Sequence, residues 1–113
     1  SVEQKDREVE AIEGTHPKLN CYYNTSYVHP ELYWYRLHPT QAPEIVLYLD
    51  NMKRSEAEFG EGRIRARIFQ TYDVCNLVIS DAKVEDSATY ICALRMEDRA
   101  PMIFGGGTKL TVL

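Results

Sequence analysis

Apolar residues in this chain recur with a period close to two, in short stretches broken by turn-forming residues about every eight to twelve positions. Alternate side chains of a strand face opposite sides of its sheet, so this rhythm points to an all-β sandwich or barrel with few helices. Leu19, Cys21 and Tyr23 alternate with Lys18, Asn20 and Tyr22, and Leu32, Trp34 and Arg36 alternate with Tyr33, Tyr35 and Leu37. The run 44–49 follows a turn at 38–43 in which Pro39 and Pro43 prevent simple ladder pairing, so a hairpin is expected there. Residues 63–69 alternate basic and apolar side chains and read as a half-exposed outer strand, although alternation alone leaves open which face is core. Within 74–80, Cys75, Leu77 and Ile79 share one face, taken as the inner one. With 88–94 and 102–113 the expectation is about nine strands in a single domain over residues 1–113, with no repeat and no linker. The stretch 80–87 is weakly helical and is expected to form a single turn at the edge of the sandwich.

Composition narrows the function. A length of 113 residues with 44% hydrophobic side chains supplies one core of moderate size and no second domain. Thirteen Lys and Arg are scattered against 17 Asp and Glu, a net charge of −4, which argues against nucleic acid or acidic lipid as the main ligand. No apolar run approaches the roughly 18 residues of a membrane span, and the opening Ser-Val-Glu-Gln lacks the regions of a signal peptide, so a soluble, mature piece is expected. His16, His29 and His38 share no ligand-like spacing with one another or with the cysteines and fall in different turns or loops. Neither a metal site nor a Ser-His-Asp or Cys-His triad is therefore expected, and the chain reads as no enzyme and as needing no cofactor. The glycines at 105–107 are followed by a strand pattern, whereas a phosphate cradle requires a helix N-terminus. Asn24-Thr25-Ser26 is a glycosylation sequon in an expected surface loop. Three cysteines, Cys21, Cys75 and Cys92, allow at most one internal pair and leave one thiol over. The face shared with Leu77 and Ile79 makes Cys75 a buried thiol acting as a small hydrophobe, and an outward register would instead suit an intermolecular or loop-tethering disulfide.

Cys21 and Cys92 bracket most of the chain, Trp34 lies 13 positions after the first, and Tyr90 sits two before the second. These spacings come with three motifs: Trp34-Tyr35-Arg36, Glu85-Asp86-Ser87-Ala88-Thr89-Tyr90-Ile91-Cys92, and the closing Phe104-Gly105-Gly106-Gly107-Thr108-Lys109-Leu110-Thr111-Val112-Leu113. Together they resemble the variable domains of antigen receptors over essentially all 113 residues. The body of the chain, from Glu31 through Arg36 and 50–56 to Leu94, is similar to T-cell receptor α and δ variable segments, δ most of all. The last ten residues are instead similar to an immunoglobulin λ-type joining segment.

The resemblance implies a V-type, two-sheet Greek-key sandwich with one intersheet disulfide, Cys21 to Cys92, and Trp34 packed on it. Such a bridge would close about 70 residues and remove roughly 4 kcal/mol of unfolded-chain entropy on the chain-entropy model. It also implies an oxidising setting, extracellular at the cell surface or secreted, with any membrane anchor outside this segment. Tyr90 would bond its hydroxyl back to the preceding turn, Arg63 and Asp86 would pair at the end away from the variable loops, and Gly105 and Gly107 would form a bulge.

Two surfaces are implied as well. Variable domains pair through the sheet carrying strands C, C′, F and G, whose outward residues here would be Tyr35, Leu37, Pro43, Ile45, Tyr48, Ile91 and Phe104, by parity opposite Trp34, Tyr90 and Cys92. Leu37 stands where a Gln is usual and Ile91 where an aromatic is common, which suits a partner with a matching apolar residue, a homodimer, or altered pairing geometry. Recognition would fall to three end loops: 24–30 with Tyr27 and His29, 49–53 with Asp50, Asn51 and Lys53, and 93–103 with Arg95, Met96, Glu97, Asp98 and Arg99. The expected function is antigen recognition by a T-cell receptor δ- or α-like chain paired with a γ- or β-like variable domain, the antigen being a protein or a presented ligand. The alternatives are a non-rearranged V-set domain of a surface receptor, or a light-chain-like variable domain.

Overall fold

A computed structural model describes residues 1–24, 30–50, 57–59, 62–69, 73–95 and 100–113, and places eleven strands among them in two sheets. In chain order they are β1 (Val2–Glu3), β2 (Glu8–Ala11), β3 (Lys18–Tyr23), β4 (Glu31–Leu37), β5 (Glu44–Asp50), β6 (Ala57–Phe59), β7 (Ile64–Phe69), β8 (Val74–Ile79), β9 (Ala88–Arg95), β10 (Ile103–Phe104) and β11 (Thr108–Val112). One sheet runs β1-β3-β8-β7-β6 and the other β2-β11-β9-β4-β5, with β10 also paired to β9. Every pairing is antiparallel except β2 with β11.

The all-β sandwich is as the periodicity predicts, but eleven strands replace the expected nine. The first eleven residues contribute a strand to each sheet, and strands of two and four residues are too short to show a period. Residues 102–113 form two strands rather than one, because the chain breaks at Gly105 and Gly107. Gly107 has φ +92°, and a Cβ on Gly105 would lie 2.5 Å from Gln4 Oε1. On β7, Ile64 and Ala66 are buried while Arg65 and Arg67 face solvent, which settles the face that alternation left open.

The two inner faces meet in a core that includes Leu19, Trp34, Leu77, Ile79, Tyr90 and Leu110, all buried. Fully burying each large aliphatic side chain contributes about 2 kcal/mol. Cys21 on β3 bonds Cys92 on β9 across the sandwich, with Cα atoms 6.2 Å apart. Cys75 on β8 is nonetheless the residue directly opposite Cys21 in the ladder. The bonds from Tyr23 N–H to the Asp73 carbonyl and from Ile79 N–H to the Pro17 carbonyl fix the alternation of that ladder, which makes 21/75 a hydrogen-bonded pair. Cβ atoms of such pairs stand about 5.5 Å apart, against roughly 3.5–4.5 Å in a disulfide, so Cys21 bonds across the core and leaves Cys75 reduced and buried.

The end distant from Arg95 is closed by polar contacts. Asp86, in a short 3₁₀ turn (Val84–Asp86), accepts two bonds from the Arg63 guanidinium at 2.9 and 3.1 Å and a third from Lys83 N–H at 2.8 Å. Burial pushes the Asp86 carboxyl up, but the Arg63 and Lys83 hydrogen bonds and the Arg63 charge outweigh it and hold the group below the usual carboxylate range. The Tyr90 hydroxyl donates to the Asp86 carbonyl at 2.7 Å.

Candidate functional site

Strand β4 presents Tyr33, Tyr35 and Leu37 on the face opposite buried Leu32 and Trp34. The neighbouring β5 adds Ile45 and Tyr48, which are 51% and 47% exposed. Strict alternation cannot place residues three apart on one face. The ladder shifts register between Trp34, opposite Leu47, and Tyr35, opposite Ile45, leaving Val46 as an extra residue. This bulge buries Val46 and Leu47 together and turns Ile45 and Tyr48 outward together. Parity alone was therefore the wrong reason for grouping Ile45 with Tyr48, although both do face out.

Tyr35, Leu37, Pro43, Ile91 and Phe104 line a hollow of about 280 Å³ on this face. Phe104, 56% exposed, stands at its rim with its ring centroid 5.9 Å from that of Tyr35. The aromatic surface continues through Tyr33, 6.2 Å from Tyr35 and 4.9 Å from Tyr48. Tyr33 was not among the expected contact residues, although its alternation with Trp34 already placed it beside Tyr35. An exposed apolar surface of this kind is a candidate interaction site.

At one end of the same sheet, Asp50, Glu31 and Arg95 stand in one cross-strand row. The Arg95 guanidinium lies 3.6 Å from Glu31 Oε1 and over the Tyr33 ring, 5.8 Å from its centroid. The Tyr33 hydroxyl donates to Glu31 Oε1 at 3.2 Å. Burial first, and then the Glu31 carboxylate, push the Tyr33 phenol up, with Arg95 opposing. Tyr27, His29, Asn51, Lys53, Met96, Glu97, Asp98 and Arg99 lie outside the described residues. The row of Asp50, Glu31 and Arg95 shows where two of those three segments leave the sheet.

Two buried side chains join the sheets behind these surfaces. Gln4 donates from Nε2 to the Tyr90 carbonyl at 2.9 Å, and its Oε1 accepts from Gly107 N–H at 2.9 Å and Cys92 N–H at 3.1 Å. Gln4 belongs to no sequence motif, and only the approach of β9 and the glycine segment reveals its role. Trp34 Nε1–H donates to Cys75 Sγ at 3.4 Å. Burial pushes the Cys75 thiol up to about 12, with the Trp34 bond opposing. Among the described residues no cluster of three or more His, Cys, Asp or Glu could hold a metal ion, and no helix is long and apolar enough to cross a membrane.

Comparison with known proteins places this geometry. The family model described as the immunoglobulin V-set domain matches residues 4–113. The T-cell receptor alpha chain V region CTL-F3 of Mus musculus is 36% identical over 99% of this chain and 81% of its own length. The mouse alpha chain V region 2B4 is 31% identical over 99% of this chain and 83% of its own. The Homo sapiens T cell receptor alpha chain MC.7.G5 is also 31% identical over 99% of this chain, which spans 40% of that protein's length.

Proposed function

We propose, from the premise that this chain belongs to the immunoglobulin V-set family, that it is the antigen-recognition variable domain of a T-cell receptor α- or δ-like chain. The observation that carries the reading is the single continuous apolar face built from Tyr33, Tyr35, Leu37, Ile45, Tyr48, Ile91 and Phe104, running up to the loop-end row of Asp50, Glu31 and Arg95. A second variable domain covers that face. Tyr27, His29, Asp50, Asn51, Lys53, Arg95, Met96, Glu97, Asp98 and Arg99 contact ligand from the adjoining end. The domain works outside the cell, by binding rather than by catalysis.

The chemistry of the face says what pairing requires. The hollow has apolar walls apart from the Tyr35 hydroxyl, so a partner side chain placed over Leu37 gains by being apolar. A buried amide there would lose its water without recovering its hydrogen bonds, at about 1–3 kcal/mol. Recognition rests on a different principle: rigid sheets hold the loop roots still while Tyr supplies broad contact area and Arg forks onto acceptors.

Coexpression with a γ- or β-type variable domain, followed by native mass measurement, tests the pairing. A one-to-one complex is expected for the natural chain, and Ile91→Asp should weaken it at least about tenfold, about 1.4 kcal/mol. Association unchanged in both Ile91→Asp and Leu37→Gln would show that the face is not the interface. Grafting the three loops onto another variable domain should carry ligand binding with them. Loss of binding on grafting, with retention through the sheet face, would favour a fixed-ligand surface receptor.

A further inference from the structure

We propose that Asn24 carries an N-linked oligosaccharide, held where β3 ends in the five-stranded sheet rather than on the apolar face of the six-stranded one. Asn24 directly follows β3, where the chain leaves that sheet, and is exposed. Its backbone is fixed on both sides: its N–H donates to the Ser1 carbonyl at 2.9 Å, and its own carbonyl accepts from the Ser1 nitrogen at 3.1 Å. No hydrogen bond among the described residues uses its carboxamide, the group the modification needs, and the backbone that presents it is held by Ser1. Thr25 and Ser26 complete the acceptor motif in the sequence and lie outside the described residues.

The disulfide supplies the compartment. A Cys21–Cys92 bond forms and persists in the oxidising secretory route, and oligosaccharide transfer to such motifs takes place there. In the transfer step, Asn24 Nδ2 bonds to the anomeric carbon of an oligosaccharide carried on a polyprenyl pyrophosphate. The anomeric carbon–oxygen bond breaks, the pyrophosphate leaves with the bonding electrons, and Nδ2 gives up one proton, so nothing is oxidised or reduced.

Position decides the consequence. Strand β3 lies between β1 and β8, whereas Tyr35, Ile45, Ile91 and Phe104 project from strands of the other sheet. The sugar therefore leaves the apolar face open and stands beside the first loop.

The test expresses the natural chain, Asn24→Gln and Ser26→Ala in a eukaryotic secretory line and measures intact mass before and after peptide N-glycosidase. The natural chain should carry the mass of one N-glycan and lose it to the enzyme with Asn24 converted to Asp, while both variants are secreted without it. A natural chain secreted without sugar, or sugar persisting in Asn24→Gln, overturns the proposal. Hydrogen exchange on glycosylated and enzymatically deglycosylated protein then locates the sugar. Differences should be confined to β1, β3 and the segment after β3, and differences in β4, β5 or β9 would overturn the placement.

Discussion

The third cysteine shows how one side chain meets two demands at once. Trp34 is fully buried, and its indole N–H needs an acceptor inside the core. Cys75 provides it while packing as a small hydrophobe. Cys75→Ala should cost about 2 kcal/mol in denaturant unfolding, from the orphaned N–H and the lost volume. Cys75→Ser, which keeps an acceptor, should cost less. The native thiol should resist iodoacetamide at neutral pH and react once the domain is unfolded, because burial suppresses the thiolate. The Asp86 carboxylate is the opposite case, a charge held by partners. Asp86→Ala removes the buried acceptor of two hydrogen bonds from the half-buried Arg63 and should cost about 2 kcal/mol, measured by thermal unfolding.

Among the elements, β5 departs most from a simple reading. Strict alternation from the outward Ile45 would expose Leu47 and bury Val46 and Tyr48, whereas the bulge buries Val46 and Leu47 side by side and turns Tyr48 out. Substitution can read this directly. Val46→Asp should cost about 3 kcal/mol or more, since it places an unpaired charge in the core. Ile45→Asp should leave unfolding within about 0.5 kcal/mol of the natural chain, because it alters only exposed surface, and should instead weaken pairing. Leu47→Asp should cost as much as Val46→Asp, and a Leu47→Asp chain as stable as Ile45→Asp would mean that the bulge is absent. Strands β3, β4, β7, β8, β9 and β11 were legible because their periods are long enough to count, whereas β6 and β10, of three and two residues, were not. Strands β1 and β2 were not, being short and owing their places to the partners they find, Tyr22 and Tyr23 for one and Lys109 to Val112 for the other.

For the molecule as a whole, the titrating groups define a window of stability. Asp86 is depressed on folding, so its contribution is present above the unfolded value near 4 and is lost as pH falls through the lower folded value. Asp86→Asn should flatten that acid limb. Burial raises Cys75, Tyr90 and Tyr23 to about 12. Their contributions are complete below the unfolded values, about 8.5 for the thiol and about 10 for the phenols, and are lost as pH climbs toward the folded ones. Chemical denaturation across pH should therefore give a plateau from about 5 to about 8.5, with Cys75→Ala postponing the first alkaline loss. Replacing Cys21 and Cys92 together by Ala should lower stability by about 4 kcal/mol, since the bridge spans 71 residues of sequence.

The sequence by itself determined the class of fold, the inward set of Leu19, Cys21, Trp34, Leu77 and Ile79, and the Arg63–Asp86 pair. Periodicity records which side of a strand is apolar, and the family resemblance supplied the pairings that spacing alone leaves open. Only the tertiary structure decided why Cys21 bonds across the core rather than to its ladder neighbour Cys75, and why Ile45 and Tyr48 share a face. It also showed that Gln4 ties the first strands to the last and that Tyr33 joins the apolar face to the loop-end row. Each of these depends on ladder register or on the approach of distant backbone, and neither is encoded by the order of residues along a single strand.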